Sequence, residues 1–234
     1  MKIEHNIKVI YEDNHLIAVN KPAGWLVQGD QTGDLPLSDY VKWYIKNRYT
    51  KPGAVFLGTI HRLDRPVSGV TVFARTSKAL TRMTKLFQNR LVQKTYLALV
   101  EKRPAEPVGT LVHYIEKDKE RNIARANSRK RSKQAKLAEL SYKLLSSIAH
   151  LHLLEVKPKT GRPHQIRVQL SSMGSPIRGD IKYGASKPNG DADICLHAQK
   201  LSFMHPVKKE PMTIVAPPPS YHQLWTIFKH SVKI

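Results

Sequence analysis

Acidic residues are scarce in this chain, and their distribution draws attention to one of them. The sequence has 18 Asp and Glu against 39 Lys and Arg, a formal net charge of +21. Between residues 40 and 100 the only acidic side chain is Asp64, which stands between Arg62 and Arg65. Neighbouring arginines favour the ionised form of a carboxyl group, so Asp64 is a candidate nucleophile. The alternative is an aspartate that only bridges two arginines and caps a turn.

Other absences narrow the class of protein further. The single cysteine, Cys195, excludes an intrachain disulfide and a Cys-rich zinc site, and we expect it in the core. No apolar run approaches the roughly 20 residues that span a bilayer, and the first residues lack a signal-peptide pattern. We therefore expect a cytoplasmic protein. His61 and Asp64 could supply two metal ligands, but no further ligand has suitable spacing, so we predict no metal site.

The missing motifs also exclude several enzyme classes. The segment GTIHRLDRPVSG lacks the Gly-Lys-Ser/Thr ending of a phosphate-cradling P-loop. A G-x-S-x-G elbow is absent, which argues against a serine hydrolase, and no G-x-G-x-x-G follows a predicted strand. The sequence thus shows no cofactor motif, and we expect no cofactor.

The positive charge is unevenly distributed. Residues 1–57 carry seven basic and six acidic side chains, so residues 58–234 carry the remaining 32 basic and 12 acidic ones. Residues 117–136 alone hold nine basic and two acidic side chains with almost no large apolar group, which predicts a basic surface excursion. Such charge attracts phosphate backbones, so we expect a nucleic-acid partner. A merely basic soluble protein and a membrane-surface binder are the alternatives.

Periodicity predicts an α+β fold, in which helices pack on a mixed sheet, and a length of 234 residues suits one large domain or two small ones. The expected elements are a hairpin over 7–19, a helix over 35–49, a strand over 70–74, a helix capped by Thr76 or Ser77, strands near 95–100, 137–145 and 151–156, a helix that opens at 160–164 and ends at Gly174, and a last helix within 220–230. Prolines and charges break the pattern between residues 101 and 116.

Three groups of residues could carry chemistry. The first is the segment His61 to Pro66 around the acid, where Pro and Gly indicate a fixed loop at the end of a sheet. The second contains Tyr96, whose ring could either pack in the sheet or stack on an unstacked base. The third is TGRPHQIR, which places Arg162, His164, Gln165 and Arg167 at a predicted helix N-terminus, a natural anion site. Solvent-facing charge on a first helical turn is the alternative for this group.

These residues resemble the RluA-type pseudouridine synthases. The signature-like block is HRLDRPVSGVTVFART, and four further blocks agree in order: IYEDNHLIAVNKPAG (10–24), KTYLALV (94–100), TGRPHQIRVQLSSMGSPIRGDIKYG (160–184) and LHAQKLSFMHPVKKEPMTIVAPPP (196–219). The chain departs from many members at Pro66-Val67, where they have Asp-Thr, and at Pro163, where they have Thr. Neither change touches the expected chemistry.

The resemblance implies a single catalytic domain over 1–234 with a pseudouridine synthase fold. This fold is a long, bent, mostly antiparallel mixed sheet with flanking helices and a central RNA-binding cleft. It implies Asp64 as the catalytic aspartate, Tyr96 against the target base and Arg167 as the partner of the aspartate. It also implies that Arg62 helps to displace the target nucleotide. The predicted RNA-binding set is Arg62, His61, Arg65, Lys21, Arg162, His164 and Gln165. Many relatives carry an N-terminal S4 domain, which we do not find in this sequence.

The implied reaction fits a protein without cofactor motifs. Pseudouridine formation breaks the N1–C1′ bond of uridine and joins C5 to C1′, and it needs no redox partner. We therefore expect an RNA pseudouridine synthase that flips a uridine of rRNA or tRNA, binds a stem-loop and acts as a monomer. Asp64 could work through a ribose glycal or a covalent adduct, and the sequence does not distinguish the two. The alternatives are a non-catalytic, ribosome-associated RNA-binding module and a base-flipping DNA glycosylase.

Overall fold

A computed structural model describes residues 7–190, 193–220 and 222–231. Its contacts divide the chain into two compact units. The first comprises Met1–Val92 and Gln199–Pro219, and the second comprises Gln93–Ala198 and Ser220–Ile234. Within the described ranges, no helix has both the length and the apolar character that crossing a membrane requires.

The first unit is built from antiparallel strands and two helices. Its elements are β1 (Lys8–Glu12), β2 (Leu16–Lys21), α1 (Leu37–Arg48), β3 (Gly58–Thr59), β4 (Ser68–Ala74), α2 (Ser77–Gln88), most of β10 (Leu196–Met204) and β11 (Pro211–Val215). β2 pairs with β1 on one side and β4 on the other, β3 pairs with β4, and β10 pairs with β11. The predicted hairpin over 7–19 is confirmed, and Asp13 Oδ1 shapes its turn by accepting the N–H groups of His15 and Leu16.

Helix α2 covers the core of this unit. Its predicted cap is confirmed at Thr76, whose Oγ1 accepts the N–H of Ala79 at 3.2 Å. Ala79 and Met83 are fully buried against strand residues such as Val72 and Phe203. The helical spacing predicts that one side of this helix carries Leu80, Met83, Leu86, Phe87 and Leu91. Leu91 is 59% exposed, however, because α2 ends before it. That part of the prediction is wrong.

Strand β4 carries the chain away from Asp64 and is buried along its whole length. Its alternating pattern predicts one core face formed by Val70, Val72 and Ala74. The structure buries Thr71 and Phe73 as completely as their neighbours. A strand covered on both faces is rigid, so the residues that precede it start from a fixed point.

The second unit is an antiparallel arrangement with short helices. Its elements are β5 (Gln93–Val100), β6 (Val108–Asp118), β7 (Ile123–Asn127), β8 (Lys136–Ile148), β9 (Leu151–Pro158), α3 (Gln165–Ser172), a 3₁₀ turn (Ile181–Tyr183) and α4 (Gln223–Ile227). The strands pair in the order β5-β9-β8-β6-β7. α3 is followed by Gly174 at φ +87°, so the predicted helix end is confirmed.

Two sequence-based expectations for this unit need correction. Residues 108–116 are not irregular, because they form most of β6, which pairs with β7 and β8. The last predicted helix, within 220–230, has Leu224, Ile227 and Phe228 as its apolar residues, but the structure buries Trp225 and Phe228 and leaves Ile227 47% exposed. The α+β fold class is confirmed by the strand pairings and the helices.

Residues 117–136 form the end of β6, all of β7 and the loop into β8. Within them the structure buries Ala124 and Ala135. All nine of their basic side chains are exposed, namely Lys117, Lys119, Arg121, Arg125, Arg129, Lys130, Arg131, Lys133 and Lys136. We refer to residues 117–136 as the basic hairpin.

Candidate active site

Asp64 lies on the loop between β3 and β4, and its backbone is anchored on both sides. Leu63 and Val67 are buried, and the N–H of Val67 donates to Asp64 O at 3.0 Å, which closes a turn directly before β4. Asp64 itself is half-buried, while Arg62 and Arg65 are exposed. The carboxylate is therefore presented from a fixed turn at the start of a rigid strand.

Lys21, at the end of β2, is hydrogen-bonded to this loop. Its side chain is fully buried, and Nζ donates to the carbonyl oxygens of Pro22 (3.0 Å), Trp25 (2.7 Å) and Arg65 (3.1 Å). Burial lowers the pKa of Lys21 to about 7, while the charge of Asp64 acts in the opposite direction and favours the ammonium. Because its side chain is fully buried, Lys21 has no exposed surface for the RNA contact that the sequence predicts.

Arg65 also holds the loop in place. Its Nε donates to Gly24 O at 3.0 Å, Nη2 lies 2.7 Å from Asp34 Oδ2, and its carbonyl accepts the N–H of Gly24 at 2.9 Å. Gly24 has φ +83°, a backbone conformation that favours glycine. The turn after β2 and the Asp64 loop are thus joined by main-chain and side-chain hydrogen bonds. About half of the Arg65 side chain remains exposed.

His61 is held by packing in the same unit. Its Nε2 accepts the N–H of Val72 at 3.1 Å, and its ring stacks on Phe87 with centroids 5.0 Å apart. An Nε2 that accepts requires the proton of the neutral imidazole to lie on Nδ1. His61 is thereby tied to β4 and α2, and its predicted RNA contact stays a prediction.

In the second unit, Tyr96 lies on β5 opposite Val156 of β9 and is half-buried. Nearby in sequence, Lys94 Nζ donates to Thr160 O at 2.9 Å and fixes the turn before α3. The ring of Tyr96 is therefore carried by a paired strand, which suits a rigid surface for a base. Both alternatives for Tyr96, packing within the sheet and stacking on a base, are compatible with this position.

The predicted anion site at the start of α3 is largely buried. Gln165 Oε1 accepts from Arg162 N–H (2.9 Å) and Thr160 Oγ1 (2.8 Å), so this side chain organises the turn. Arg162 Nε donates to Leu137 O at 3.0 Å. His164 is 9% exposed and adopts φ 53°. His164 and Gln165 therefore expose almost no surface for the RNA contacts that the sequence predicts. Sequence spacing alone does not show whether the first turn of a helix faces inward or outward.

Arg167 is buried and clamped by an acid that the sequence pattern alone did not single out. Its Nε donates to Asp180 Oδ2 at 2.7 Å and its Nη2 to Asp180 Oδ1 at 2.8 Å. Its Cζ lies 5.0 Å from the ring centroid of Tyr183. Paired, bidentate geometry of this kind fixes the plane of the guanidinium. Asp180 and Tyr183 both stand in the block RGDIKYG, which contains the only signal that could have identified them.

Comparisons with known proteins identify the family of this chain. A family model described as RNA pseudouridylate synthase matches residues 15–172. The ribosomal large subunit pseudouridine synthase C of Rickettsia prowazekii is 40% identical over 75% of this chain and 56% of its own length. The tRNA pseudouridine synthase C of Vibrio cholerae is 32% identical over 90% of both chains. The chain belongs to the RNA pseudouridylate synthase family, and the resemblance to its RluA-type members is confirmed.

A solved structure supports the fold. The structure titled human RNA pseudouridylate synthase domain containing 4 has a TM-score of 0.78 and 26% sequence identity, and the match covers 97% of this chain and 94% of that one. The chain spans less than two thirds of the length of the ribosomal relatives from Buchnera aphidicola and Rickettsia prowazekii.

Proposed function

We propose that this chain is an RNA pseudouridine synthase that isomerises uridine in ribosomal or transfer RNA. The observation that carries the proposal is Asp64, a half-buried acid on a loop whose backbone is fixed by Lys21 and Arg65. Relatives named for rRNA and tRNA modification support the same activity.

The proposed reaction assigns one task to each of four side chains. The target uridine leaves its stack, which costs a few kcal/mol, and Arg62 fills the vacated space. Tyr96 packs on the extruded uracil. Asp64 serves as the nucleophile, and the family resemblance assigns the stabilisation of its negative charge to Arg167, which Asp180 holds.

The covalent changes balance without a cofactor. The N1–C1′ bond breaks, the base rotates, and C5 joins C1′. The proton on C5 is lost, with Tyr96 near the base to assist, and N1 gains a proton. A glycal route and a covalent adduct on Asp64 both meet this balance.

The basic hairpin is the proposed docking surface for the RNA backbone. Its nine exposed cations outnumber two acidic residues, and they stand on a paired strand and its adjoining loop. Contacts to phosphate and 2′-hydroxyl groups would recognise the shape of a stem-loop without reading its sequence.

The decisive test substitutes Asp64 with Asn and uses RNA transcripts tritiated at uracil C5. Isomerisation releases tritium to water, so we expect release by the natural chain and none by Asp64→Asn, with RNA affinity retained. Binding without release by the natural chain would identify an RNA-binding module, and release of free base would identify a glycosylase. If Asp64→Asn loses binding and folding together, Asp64 holds the fold instead.

Two details of the proposal have separate tests. Pseudouridine mapping in cells with and without this protein would separate ribosomal from transfer RNA as the substrate. We also propose that the chain works as a monomer in the cytoplasm, where a buried thiol such as Cys195 stays reduced. Sedimentation of the free protein and of its RNA complex would reveal a second copy.

A further inference from the structure

Tyr183 occupies the point in the second unit where the basic hairpin meets α3. Its side chain is 7% exposed and belongs to a buried cluster with Ile115 of β6, Ala124 of β7, Ala138 of β8 and Val168 of α3. An apolar contact would be sufficient to pack these elements together. The hydroxyl and the ring of Tyr183 each make a further, more specific contact.

The hydroxyl connects the hairpin to the start of α3. The N–H of Ala124 donates to Tyr183 Oη at 2.8 Å, and His164 Nδ1 lies 2.7 Å from the same oxygen. The tyrosine oxygen accepts from Ala124 and shares a second hydrogen bond with His164 Nδ1. His164 precedes α3 in a left-handed conformation that is uncommon for residues with a Cβ. This hydrogen bond therefore fixes a strained junction as well as a strand.

The ring, in contrast, acts on Arg167. The Arg167 guanidinium lies over the Tyr183 ring while its Nε and Nη2 atoms pair with Asp180. A cation over a π-face is attracted to it, and the contact limits motion out of the guanidinium plane. Asp180 limits motion within that plane. The two contacts leave the guanidinium with little freedom to rotate.

We propose that Tyr183 is a positioning residue that couples the RNA-docking hairpin to Arg167, an inference that rests on the proposed function. Its hydroxyl holds the hairpin where RNA phosphates bind, and its ring holds the guanidinium to which the proposed reaction assigns a catalytic task. The two halves of one side chain therefore support two different steps. Substitutions that remove the hydroxyl alone, or the hydroxyl and the ring, therefore distinguish an effect on RNA binding from an effect on the reaction rate.

The test compares Tyr183→Phe with Tyr183→Met and with a matched control. Phe keeps the ring and removes the hydroxyl, so we expect RNA to bind roughly 3- to 10-fold more weakly, with the single-turnover rate at saturating RNA unchanged within about twofold. Met also removes the ring, so we expect the same loss of affinity and a rate at least about tenfold lower. The control is Tyr142→Phe, which removes another buried hydroxyl from this unit, one that donates to Glu106 O at 3.3 Å.

Hydrogen exchange provides a readout that does not depend on turnover. The Ala124 amide should exchange faster in Tyr183→Phe and at the natural rate in Tyr142→Phe, since only the first change removes its acceptor. If Tyr183→Met does not fold, Asp180→Asn loosens the same guanidinium and should give the same loss of rate.

Each outcome decides a separate point. Natural affinity and exchange in Tyr183→Phe, or equal losses in the control, would overturn the link to the hairpin. A rate for Tyr183→Met equal to that of Tyr183→Phe would overturn the positioning of Arg167. If the natural chain binds RNA without isomerising it, while Tyr183→Phe weakens binding and frees the amide, the proposed function fails and the hairpin link stands.

Discussion

Removing charge from the basic hairpin should weaken RNA binding by an amount that depends on salt. Arg129, Lys130, Arg131 and Lys133 are exposed in the loop between β7 and β8. Each cation that neutralises a phosphate contributes about 0.7 to the slope of log affinity against log salt for single-stranded RNA. Changing all four to Gln should therefore lower that slope by up to about 3. At about 0.15 M salt, this corresponds to binding that is weaker by as much as 10²-fold, on the order-of-magnitude scale of counterion release.

The assay is a titration of labelled stem-loop RNA at several salt concentrations, with a control matched in charge. The control changes four exposed lysines of the first unit to Gln, namely Lys46, Lys51, Lys78 and Lys85. We expect it to change the slope much less than the hairpin variant. Stability should stay within about 0.5 kcal/mol in both, because exposed side chains make few contacts. An unchanged slope in the hairpin variant, or equal changes in both, would refute the assignment of this surface.

Three further predictions concern single positions. Burial lowers the pKa of Lys21 to about 7, so between pH 7 and 9 the unfolded chain binds the Lys21 proton more tightly than the folded chain does. The free energy of unfolding of the natural chain should therefore rise relative to that of Lys21→Met by up to about 1.4 kcal/mol per pH unit. A flat difference in urea titrations would mean that the three carbonyls keep the ammonium charged. Thr76→Ala should destabilise the protein by about 1 kcal/mol through loss of the cap on Ala79, whereas Thr76→Ser should restore most of it. Cys195 should react with a thiol reagent only as fast as the protein opens, because burial raises its pKa to about 12; rapid labelling of the native protein would contradict this burial.

Elements with local signals were predictable from the sequence. The helix expected over 35–49 is α1 (Leu37–Arg48), and the cap at Thr76 is where the pattern places it. Both depend on side chains within a few residues of one another. The strand after Asp64 was also predicted, but its burial on both faces was not, because burial depends on elements far away in the sequence.

Elements whose stability comes from distant partners were missed. β6 contains Val, Leu, Tyr and Ile, but prolines precede it, charges end it and Val108 is exposed, so these local signals hide a strand whose composition would allow one. Pairing with β7 and β8 supplies its hydrogen bonds instead. The same reason explains why the role of Asp180 was not seen, since the acid lies thirteen residues beyond Arg167 and the two meet only in the folded chain.

The structure also divides the positive charge of the chain into two kinds. Lys21 and Arg167 are buried, and their charge is met by backbone carbonyls and by Asp180, respectively. Cations of this kind fix the local fold but release no counterions when RNA binds. The exposed cations of the basic hairpin can release them. It follows that salt should act mainly on the affinity for RNA, while the single-turnover rate at saturating RNA should vary little with salt.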